Sequence, residues 1–579
     1  MKRIMKQIRE GIAVGWLVLT VTGIVWAGDE KLAKGMKKPR PGETAEVLVQ
    51  YATQPGEEQH RRVIDRNGRV RAKFDSVPVA HYDVTPEALA DLQANPDVVS
   101  ISPNQPVRAY LFHTRYSANY DALFTHYNTI GRQHAAGIGI AIVDSGINAG
   151  NKNFNAWMSA TSRIVYSESF VGGDTSDEFG HGTHVAGIAA GQDNVTNVLS
   201  SPTQKYYGVA DDSNIINLKV LDANGAGTDA SVIAGINRAI QLKSQYNIRV
   251  INLSLGRPIA TSYKTDPLCQ AVESAWKAGI VVVVAAGNDG RDNSQGTQGY
   301  GTITSPGNDP YVITVGATND KADTDRTNDV IATYSSKGPT AIDHIVKPDL
   351  VAPGNRTVSD QSSGSALVAQ YPGNQIPTMA YDPSGSSALS PYFFTLSGTS
   401  MATPIVSGGA AMLIDEYPAL TPDQVKMKLM RTAWRGFPAT MSTAVTDPTT
   451  GVTTTYTANH DLFTIGAGQV DLWAAYNDTS VSTASAASPA VTFVASSGTV
   501  QLQLNSVGAA NVVWGSGTPY ATNVVWGSNV SGLNVVWGSN VVWGSNVVWG
   551  SNVVWGSTSP WALSTPGPEL LTIAITGEN

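Results

Sequence analysis

Short apolar runs rich in β-branched residues alternate with helical patterns from about Gly137 onward. The runs are Ile138–Val143, Ile215–Leu221, Val250–Leu255, Ile280–Ala285 and Tyr311–Val315. Helical patterns such as Ser231–Tyr246 and Leu268–Ala278 separate them. Strands that are apolar throughout and are joined by helices belong to a parallel sheet covered on both faces. We therefore predict an α/β fold, a parallel sheet with helices on both faces, whose active site lies at the carboxyl ends of the strands.

The first 27 residues have the order of a secretory signal peptide. Four basic residues within the first nine precede an apolar run from Gly11 to Trp26, and Val25-Trp26-Ala27 suits signal peptidase. The alternative is an uncleaved membrane anchor, but the run is short for the roughly 20 residues that span a bilayer. We predict that residues 1–27 are removed and that the mature protein is secreted, either into the medium or to the cell surface.

Charge and cysteine content exclude several classes of protein. The chain has 38 basic and 46 acidic residues, a net charge of −8, which argues against nucleic acid as a partner. Residues 28–108 carry twelve basic and twelve acidic side chains, whereas no Lys or Arg follows Arg435. The single cysteine, Cys269, excludes an intrachain disulfide framework and a multi-cysteine zinc cluster. The chain therefore consists of segments that differ in their content of charged residues.

Residues 43–110 are predicted to form the compact part of a small α+β domain that spans residues 28–112. Ala45–Tyr51 alternates like a strand, and Val98–Ile101 resumes one. Between them, Pro86–Asn95 has the pattern of a short helix with Thr85 as its N-cap.

Three segments place a carboxylate, an imidazole and a hydroxyl at the ends of predicted elements. Asp144 ends a strand, His181 starts a helix of small residues, and Ser400 starts another helix, in whose first turn Pro404 is expected to be tolerated. A serine hydroxyl becomes a nucleophile when a neutral histidine accepts its proton and a buried carboxylate fixes the histidine tautomer. Asn288, at the end of the Val283–Asn288 segment, is a candidate donor to the developing oxyanion.

Three other readings of these segments are excluded. His184 lies three residues after His181, but the segment lacks the glutamate of a His-Glu-x-x-His zinc site, so no metal site is predicted. Gly137-x-Gly139 precedes a strand rather than following one, unlike a dinucleotide-binding loop. Ser400 lacks the trailing glycine of an α/β-hydrolase nucleophile elbow.

The order Asp144, His181, Ser400, together with four further segments, resembles the subtilisin-like serine proteases (the subtilase family). Those segments are Asn252–Gly256, Ser335–Pro339, Lys347–Gly354 and Gly466–Val470. The resemblance implies that residues 113–476 are the catalytic domain of a serine endopeptidase that hydrolyses peptide bonds through an acyl-enzyme on Ser400. It implies His181 as general base and then acid, Asp144 as the group that orients it, and Asn288 as oxyanion donor.

The same resemblance implies how polypeptide substrates bind. The backbone edges of Gly225, Ala226 and Gly227 and of Ser254, Leu255 and Gly256 would pair with an extended peptide. Ala285, Ala286 and Gly287 would line the pocket for the side chain before the cut. Binding by strand addition makes affinity depend on the main chain and selectivity on a few pockets.

The segment from His81 to Pro86, with the residues that follow it to Val98, resembles the second half of the family's inhibitory propeptide. This implies that residues 28–112 form an intramolecular chaperone and inhibitor, so that the chain is a zymogen cut around Tyr110–Tyr116. The alternative is a permanent accessory domain.

The resemblance also bears on calcium. Related enzymes commonly carry a calcium-binding aspartate nine residues after the catalytic one, and here that position is Asn153. The loop that usually supplies other ligands is replaced by a longer segment, Gln192–Tyr207. Losing a charged oxygen weakens a hard-cation site. We expect no required cofactor, with calcium as an optional ligand and the usual strong site weakened.

Residues 477–579 form the tail. A Ser/Thr-rich linker, Asn477–Ser488, precedes six copies of Asn-Val-Val-Trp-Gly-Ser, at 511–516, 523–528 and four in tandem over 534–557. Because the period is even, the Trp of every copy lies on one face of an extended chain. The tail is predicted to be β-rich or disordered, and its Trp residues are candidates for contact with a cell surface or polymer. The alternative function is therefore a surface- or polymer-binding protein whose protease domain serves its own maturation.

Overall fold

A computed structural model of the chain describes residues 31–32, 36, 38–73, 78–103, 117–195, 206–294, 296–382, 385–446, 451–481, 485–494, 499–503, 530–531 and 577–578, apart from single residues and side chains within these ranges. The chain divides into two compact units, residues 1–108 and 109–579. The predicted signal peptide, the propeptide boundary at residue 112 and all six repeats lie outside the described residues and stay predictions. Among the helices described, none is long and apolar enough to cross a membrane.

The first unit is a four-stranded antiparallel sheet with two helices. Its strands are in the order β2-β3-β1-β4, and its elements are β1 (Ala45–Tyr51), α1 (Glu57–Ile64), β2 (Arg69–Lys73), β3 (Val79–Val84), α2 (Pro86–Ala94) and β4 (Val98–Pro103). Helix α2 starts where predicted, because the Thr85 hydroxyl accepts a hydrogen bond from Ala88 N at 3.1 Å. Alternate residues of β1, such as Val47 and Val49, are fully buried against Leu89 of α2 and its neighbours.

The second unit is built on an eight-stranded sheet in the order β11-β10-β9-β8-β5-β7-β6, with β12 also paired to β10. The strands are β5 (Gly139–Asp144), β6 (Ile164–Ser169), β7 (Asn214–Lys219), β8 (Ile248–Leu253), β9 (Val281–Ala285), β10 (Ile313–Asn319), β11 (Val330–Ile331) and β12 (Leu350–Pro353). Every pairing is parallel except that of β10 with β11. The predicted parallel sheet is confirmed. The edge strand β6 escaped prediction because its apolar run, Ile164–Tyr166, is only three residues long and is followed by Ser-Glu-Ser.

Helices cover both faces of this sheet. Every residue of β5, β9 and β10 is therefore buried. The helices are α3 (Tyr120–Thr129), α4 (His181–Ala190), α5 (Asp229–Tyr246), α6 (Pro267–Lys277), α7 (Ala366–Gln370), α8 (Thr399–Glu416), α9 (Pro422–Arg431) and α10 (Leu472–Asn477). Helix α8 packs on β8, β9 and β10 and against α4, while α5 and α6 pack together. Because α8 is enclosed on nearly all sides, it is apolar all round rather than amphipathic.

Three smaller β structures complete the second unit. One sheet contains β13 (Thr357–Asp360), β14 (Gln375–Pro377) and β15 (Leu389–Leu396); a hairpin contains β16 (Thr440–Thr446) and β17 (Thr453–Asn459); another sheet contains β18 (Ala490–Val494), β19 (Thr499–Gln503) and β20 (Val530–Ser531). The segment predicted as a linker is partly packed. Ser488 at its end is fully buried, and its backbone N–H donates to the Pro310 carbonyl at 2.9 Å.

Candidate active site

Asp144 and His181 meet where β5 ends and α4 begins. Asp144 is the last residue of β5 and is 1 % exposed, whereas His181 is the first residue of α4. The Nδ1 atom of His181 lies 2.8 Å from Oδ1 of Asp144. An ionised carboxylate only accepts hydrogen bonds, so Nδ1 carries the proton and Nε2 keeps a lone pair. That tautomer is the one that can accept a proton from a nucleophile.

Two opposing influences set the pKa of His181. Burial lowers this pKa, whereas the charge of Asp144, its hydrogen bond and the charge of Asp177 raise it. The raising influences prevail, and the pKa of His181 lies above its usual value. The site therefore stabilises the imidazolium that forms when His181 takes a proton.

Two residues that the sequence analysis missed hold the start of α4. Asp177 accepts hydrogen bonds from Gly180 N at 2.7 Å and Thr183 N at 2.8 Å, and so caps the helix. The Ser145 hydroxyl donates to Asp177 at 2.8 Å and accepts from Gly182 N at 2.9 Å. The N-cap position itself is Gly180, so the sequence offers no N-cap signal for Asp177. The partner role of Ser145 follows only from the fold.

Ser400 is the second residue of α8 and is joined to Ser254 by two hydrogen bonds. Its hydroxyl donates to the Ser254 carbonyl at 3.0 Å, and the Ser254 hydroxyl donates to the Ser400 carbonyl at 2.8 Å. In the described part of the chain, no hydrogen bond joins Ser400 to His181. Catalytic hydrogen bonds are often formed only when substrate is present. Proton transfer to His181 thus requires the Ser400 hydroxyl to turn away from Ser254.

The expectation that Pro404 lies in the first helical turn is wrong. Pro404 is the sixth residue of α8 and stands inside the helix. An interior proline provides no N–H for the carbonyl four residues before it, which here is the carbonyl of Ser400. The Ser254 hydroxyl supplies the missing donor. Thus Ser254, rather than the helix end, makes Pro404 tolerable.

Asn288 is fixed against the segment before Ser400. Its Oδ1 accepts hydrogen bonds from Thr399 N at 2.9 Å and from the Thr399 hydroxyl at 3.1 Å. These donors identify the oxygen, so the NH₂ group is the other end of the amide. Asn288 Nδ2 would lie 3.4 Å from a Cβ placed on Gly398, whose φ of 147° favours glycine. A donor therefore stands over the small residue that a substrate carbonyl would approach.

The predicted substrate segment 225–227 is connected to His181 through the ring of Phe179. A Cβ on Gly225 would come within 2.5 Å of the Phe179 ring, and that ring is centred 6.5 Å from the ring of His181. Ala226 and Gly227 line a cavity of about 640 Å³. The carbonyl of Ala226 accepts from Asp222 N at 2.8 Å, so this carbonyl is already used within its own turn.

The other two substrate segments follow the carboxyl ends of β8 and β9 and meet at Thr304. A Cβ on Gly256 would lie 2.5 Å from Thr304 Oγ1, and one on Gly287 would lie 2.9 Å from Thr304 Cγ2. The structure thus brings segments 254–256 and 285–287 together. Thr304, which no sequence pattern indicated, is the residue between them.

Asn153, at the position where the resemblance implies a calcium ligand, is committed to hydrogen bonds. Its Nδ2 donates to Asp360 at 2.6 Å, and its Oδ1 accepts from Asn194 N at 2.9 Å. The buried guanidinium of Arg163 donates to the Asn153 carbonyl at 2.9 Å. A hard cation requires free oxygen ligands and no competing positive charge. This set of residues therefore does not fit the ion.

Much of the chain is similar in sequence to known serine proteases. Residues 135–468 match the model of the subtilase family. Serine protease AprX of Bacillus subtilis is 34 % identical over 371 residues, which cover 62 % of this chain and 75 % of that protein. Subtilisin DY of Bacillus licheniformis is 34 % identical over 52 % of this chain and 84 % of its own length. The extracellular serine proteinase of a Thermus species is 33 % identical over 60 % and 69 %, respectively.

A solved structure is also similar to part of the chain. It is the crystal structure of a cold adapted subtilisin-like serine proteinase, with 29 % sequence identity and a TM-score of 0.36. The match covers 52 % of this chain and 84 % of the solved one.

Proposed function

The chain belongs to the subtilase family and is a serine-type endopeptidase, and we propose that it is exported and acts through an acyl-enzyme on Ser400. The observation that carries this assignment of residues is the 2.8 Å pairing of His181 Nδ1 with Asp144. It fixes the basic nitrogen at Nε2, and Ser400 stands at the start of a helix that packs against the helix of His181.

The reaction divides into two stages, acylation and deacylation, and in each stage His181 takes up a proton and then returns it. In the first, Nε2 takes the Ser400 hydroxyl proton as Oγ attacks the substrate carbonyl, and Asp144 stabilises the resulting imidazolium. His181 then returns the proton to the leaving amine, which breaks the peptide bond. In deacylation, His181 takes a proton from water as the water oxygen attacks the acyl carbon, and it gives that proton to Ser400 Oγ as the bond between Oγ and the acyl carbon breaks.

Two donors suit the oxyanion of the tetrahedral intermediate. One is Asn288 Nδ2, which the contacts of Oδ1 with Thr399 hold in place. The other is the backbone N–H of Ser400, which lies in the first helical turn and has no intrahelical acceptor. Donors fixed in advance need no reorganisation when the charge develops.

The test of the nucleophile is hydrolysis of casein by Ser400→Ala. We expect the activity to fall to the background level, because the variant lacks the hydroxyl oxygen that attacks the substrate carbonyl. Ser159→Ala, which removes an exposed hydroxyl, is the matched control and should retain full activity. Undiminished cleavage by Ser400→Ala would refute the assignment.

We also propose that residues 28–112 inhibit the enzyme until they are cut off. Support comes from the first unit's own buried core and from its resemblance to the family's propeptides. Mass spectrometry of the exported protein and of its Ser400→Ala variant tests this proposal. Retention of the segment only by the variant is expected, and retention by both would identify an accessory domain.

Export is proposed on the order of charges and apolar residues in 1–27, and one relative is by name extracellular. N-terminal sequencing of the Ser400→Ala protein from the medium should begin at Gly28. Protein found only inside the cells would contradict it.

For substrates, we propose that segments 225–227 and 254–256 pair with an extended peptide and that 285–287 line the pocket before the cut. Support comes from the small residues and from the meeting of two of these segments at Thr304. Gly256→Val should raise KM for all peptides alike, because it obstructs the main chain rather than one side chain. A change confined to one peptide class would argue against main-chain pairing.

A further inference from the structure

Glu578 follows the last repeat by about twenty residues, yet it is buried within the second unit. The residue is 2 % exposed, and its side chain is fully buried. Burial of a carboxylate is costly unless charged and hydrogen-bonding partners compensate for the lost water. The contacts of this residue therefore need to include such partners, and they define a specific binding site.

The carboxylate of Glu578 is held by Arg291 and Thr333. Arg291 Nη2 lies 2.9 Å from Oε2, and the Arg291 side chain is only 3 % exposed. Thr333 donates its backbone N–H to Oε1 at 2.9 Å and its hydroxyl to Oε2. The guanidinium also lies 5.0 Å from the ring centre of Tyr456. Both carboxylate oxygens are satisfied, and the cation that faces them has little access to water.

The main chain of the same segment is recognised as well. Asn355 Nδ2 donates to the Glu578 carbonyl at 2.7 Å, and Glu578 N donates to Asn355 Oδ1 at 2.9 Å. At Gly577 the φ is 78°, and a Cβ would lie 2.5 Å from both Arg356 Cγ and Ser397 Oγ. The site thus selects a Gly-Glu pair by charge, by main-chain hydrogen bonds and by the absence of a side chain.

The docked pair touches both segments that carry the proposed catalytic groups. Arg291 stands three residues after Asn288, and Ser397 stands three residues before Ser400. Gly577–Glu578 therefore connects the Asn288 segment with the segment that leads into α8.

The beginning of the tail is anchored in the same unit. Ser488 is fully buried, and Lys426 Nζ lies 3.0 Å from its hydroxyl oxygen. All six repeats, 511–557, lie in sequence between Ser488 and Glu578. Ser488 and Glu578 are therefore two points, one before and one after the repeats in the sequence, at which the chain is attached to the same unit.

We propose that Gly577–Glu578 is an intramolecular latch. It docks in the pocket of Arg291, Thr333 and Asn355, attaches the part of the chain that follows the repeats to the catalytic unit, and braces the Asn288 segment against Ser397–Ser400. Arg291 and Glu578 are positioning residues in this arrangement.

Thermal unfolding of the full chain tests the docking, in the Ser400→Ala background to prevent autolysis. Glu578→Ala and Arg291→Ala should each lower Tm by several degrees, because each leaves the other charge buried without a partner. The double variant should be no less stable than the worse single variant. Glu273→Ala, which breaks the ion pair with the exposed Lys277, is the control and should shift Tm by about 1 °C or less. If the two single shifts in Tm add up in the double variant, or if neither single variant shifts Tm, the proposed latch is refuted.

Kinetics of the active enzyme test the bracing. At a temperature well below Tm, Glu578→Ala should lower kcat several-fold with little change in KM, since the displaced groups act in the transition state. Glu578→Gln, which keeps the shape and one acceptor, should lie between the wild type and Glu578→Ala. An unchanged kcat in Glu578→Ala would refute the bracing, whatever the effect on Tm.

Sedimentation over a range of concentrations distinguishes docking within one chain from exchange between two chains. We expect the same monomeric mass for Ser400→Ala with and without Glu578→Ala. A dimer that dissociates on Glu578→Ala would show that the segment docks in a second copy, and would overturn the intramolecular assignment.

Discussion

The Ser254 hydroxyl donates to the Ser400 carbonyl at 2.8 Å, in place of the N–H that Pro404 lacks. A residue of the proposed substrate-binding segment 254–256 thus satisfies a carbonyl in the helix of the proposed nucleophile. Asn252 Nδ2 in turn donates to the Ser254 hydroxyl at 2.9 Å, and the Ser407 hydroxyl donates to Asn252 Oδ1 at 2.7 Å. The start of α8 is therefore tied to the end of β8 by a chain of side-chain hydrogen bonds.

This relationship predicts a coupling between Ser254 and Pro404. Ser254→Ala should destabilise the protein by about 1–3 kcal/mol, because the Ser400 carbonyl is left without a donor. Pro404→Ala restores a backbone N–H, so the loss caused by Ser254→Ala should be smaller in that background. Urea unfolding of the four proteins, all carrying Ser400→Ala, measures the coupling. Equal losses in both backgrounds would contradict it.

Asn288→Ala should lower kcat by about 10²–10³-fold and leave KM nearly unchanged, because an oxyanion donor acts only on the developing charge. Steady-state kinetics on a peptide substrate measure both constants. A higher KM with an unchanged kcat would instead indicate a role in ground-state binding.

The pH profile should report the raised pKa of His181. The base must be neutral, so kcat/KM rises as pH increases through this pKa, and the rising limb should lie above the ordinary histidine value of ~6.5. Asp144→Asn removes the charge that raises the pKa, so the limb should move to lower pH while kcat falls by about 10⁴-fold. A limb at the same pH in both proteins would exclude Asp144 as its cause.

Chelation should leave the Asn153 region intact. Its amide and carbonyl are bound to Asp360, Asn194 and Arg163, so EDTA should change Tm of the Ser400→Ala protein by about 1 °C or less. Arg163→Ala, which removes the buried cation, should lower Tm by several degrees with or without EDTA. A large drop on chelation of the unmodified site would show that a metal contributes to the stability.

The sequence predicted the parts of the fold that depend on local pattern. The apolar strands β5, β7, β8, β9 and β10 were each found within a few residues, because strands buried on both faces are continuously apolar. The weakly apolar edge strand β6 and the polar hairpin β16–β17 lack that signal. Their places are set by pairing with distant segments.

The site shows the same division. Asp144, His181 and Ser400 stand in recognisable short motifs at element ends, and Asn288 follows an apolar strand. The hydroxyl of Ser145, the Ser254–Ser400 pair and the contact of Glu578 with Arg291 join residues 32, 146 and 287 positions apart. The local sequence pattern does not predict contacts between residues so far apart, because each contact forms only when the chain is folded.

Arg163 gives the Asn153 region a positive charge that is covalently part of the protein. A guanidinium attached to the backbone cannot be diluted away, and its local concentration does not depend on the hardness of the surrounding water. A bound ion, by contrast, exchanges with its medium and is lost to any stronger ligand. At this position the positive charge is part of the polypeptide, so its presence does not depend on the ions in the surrounding solution.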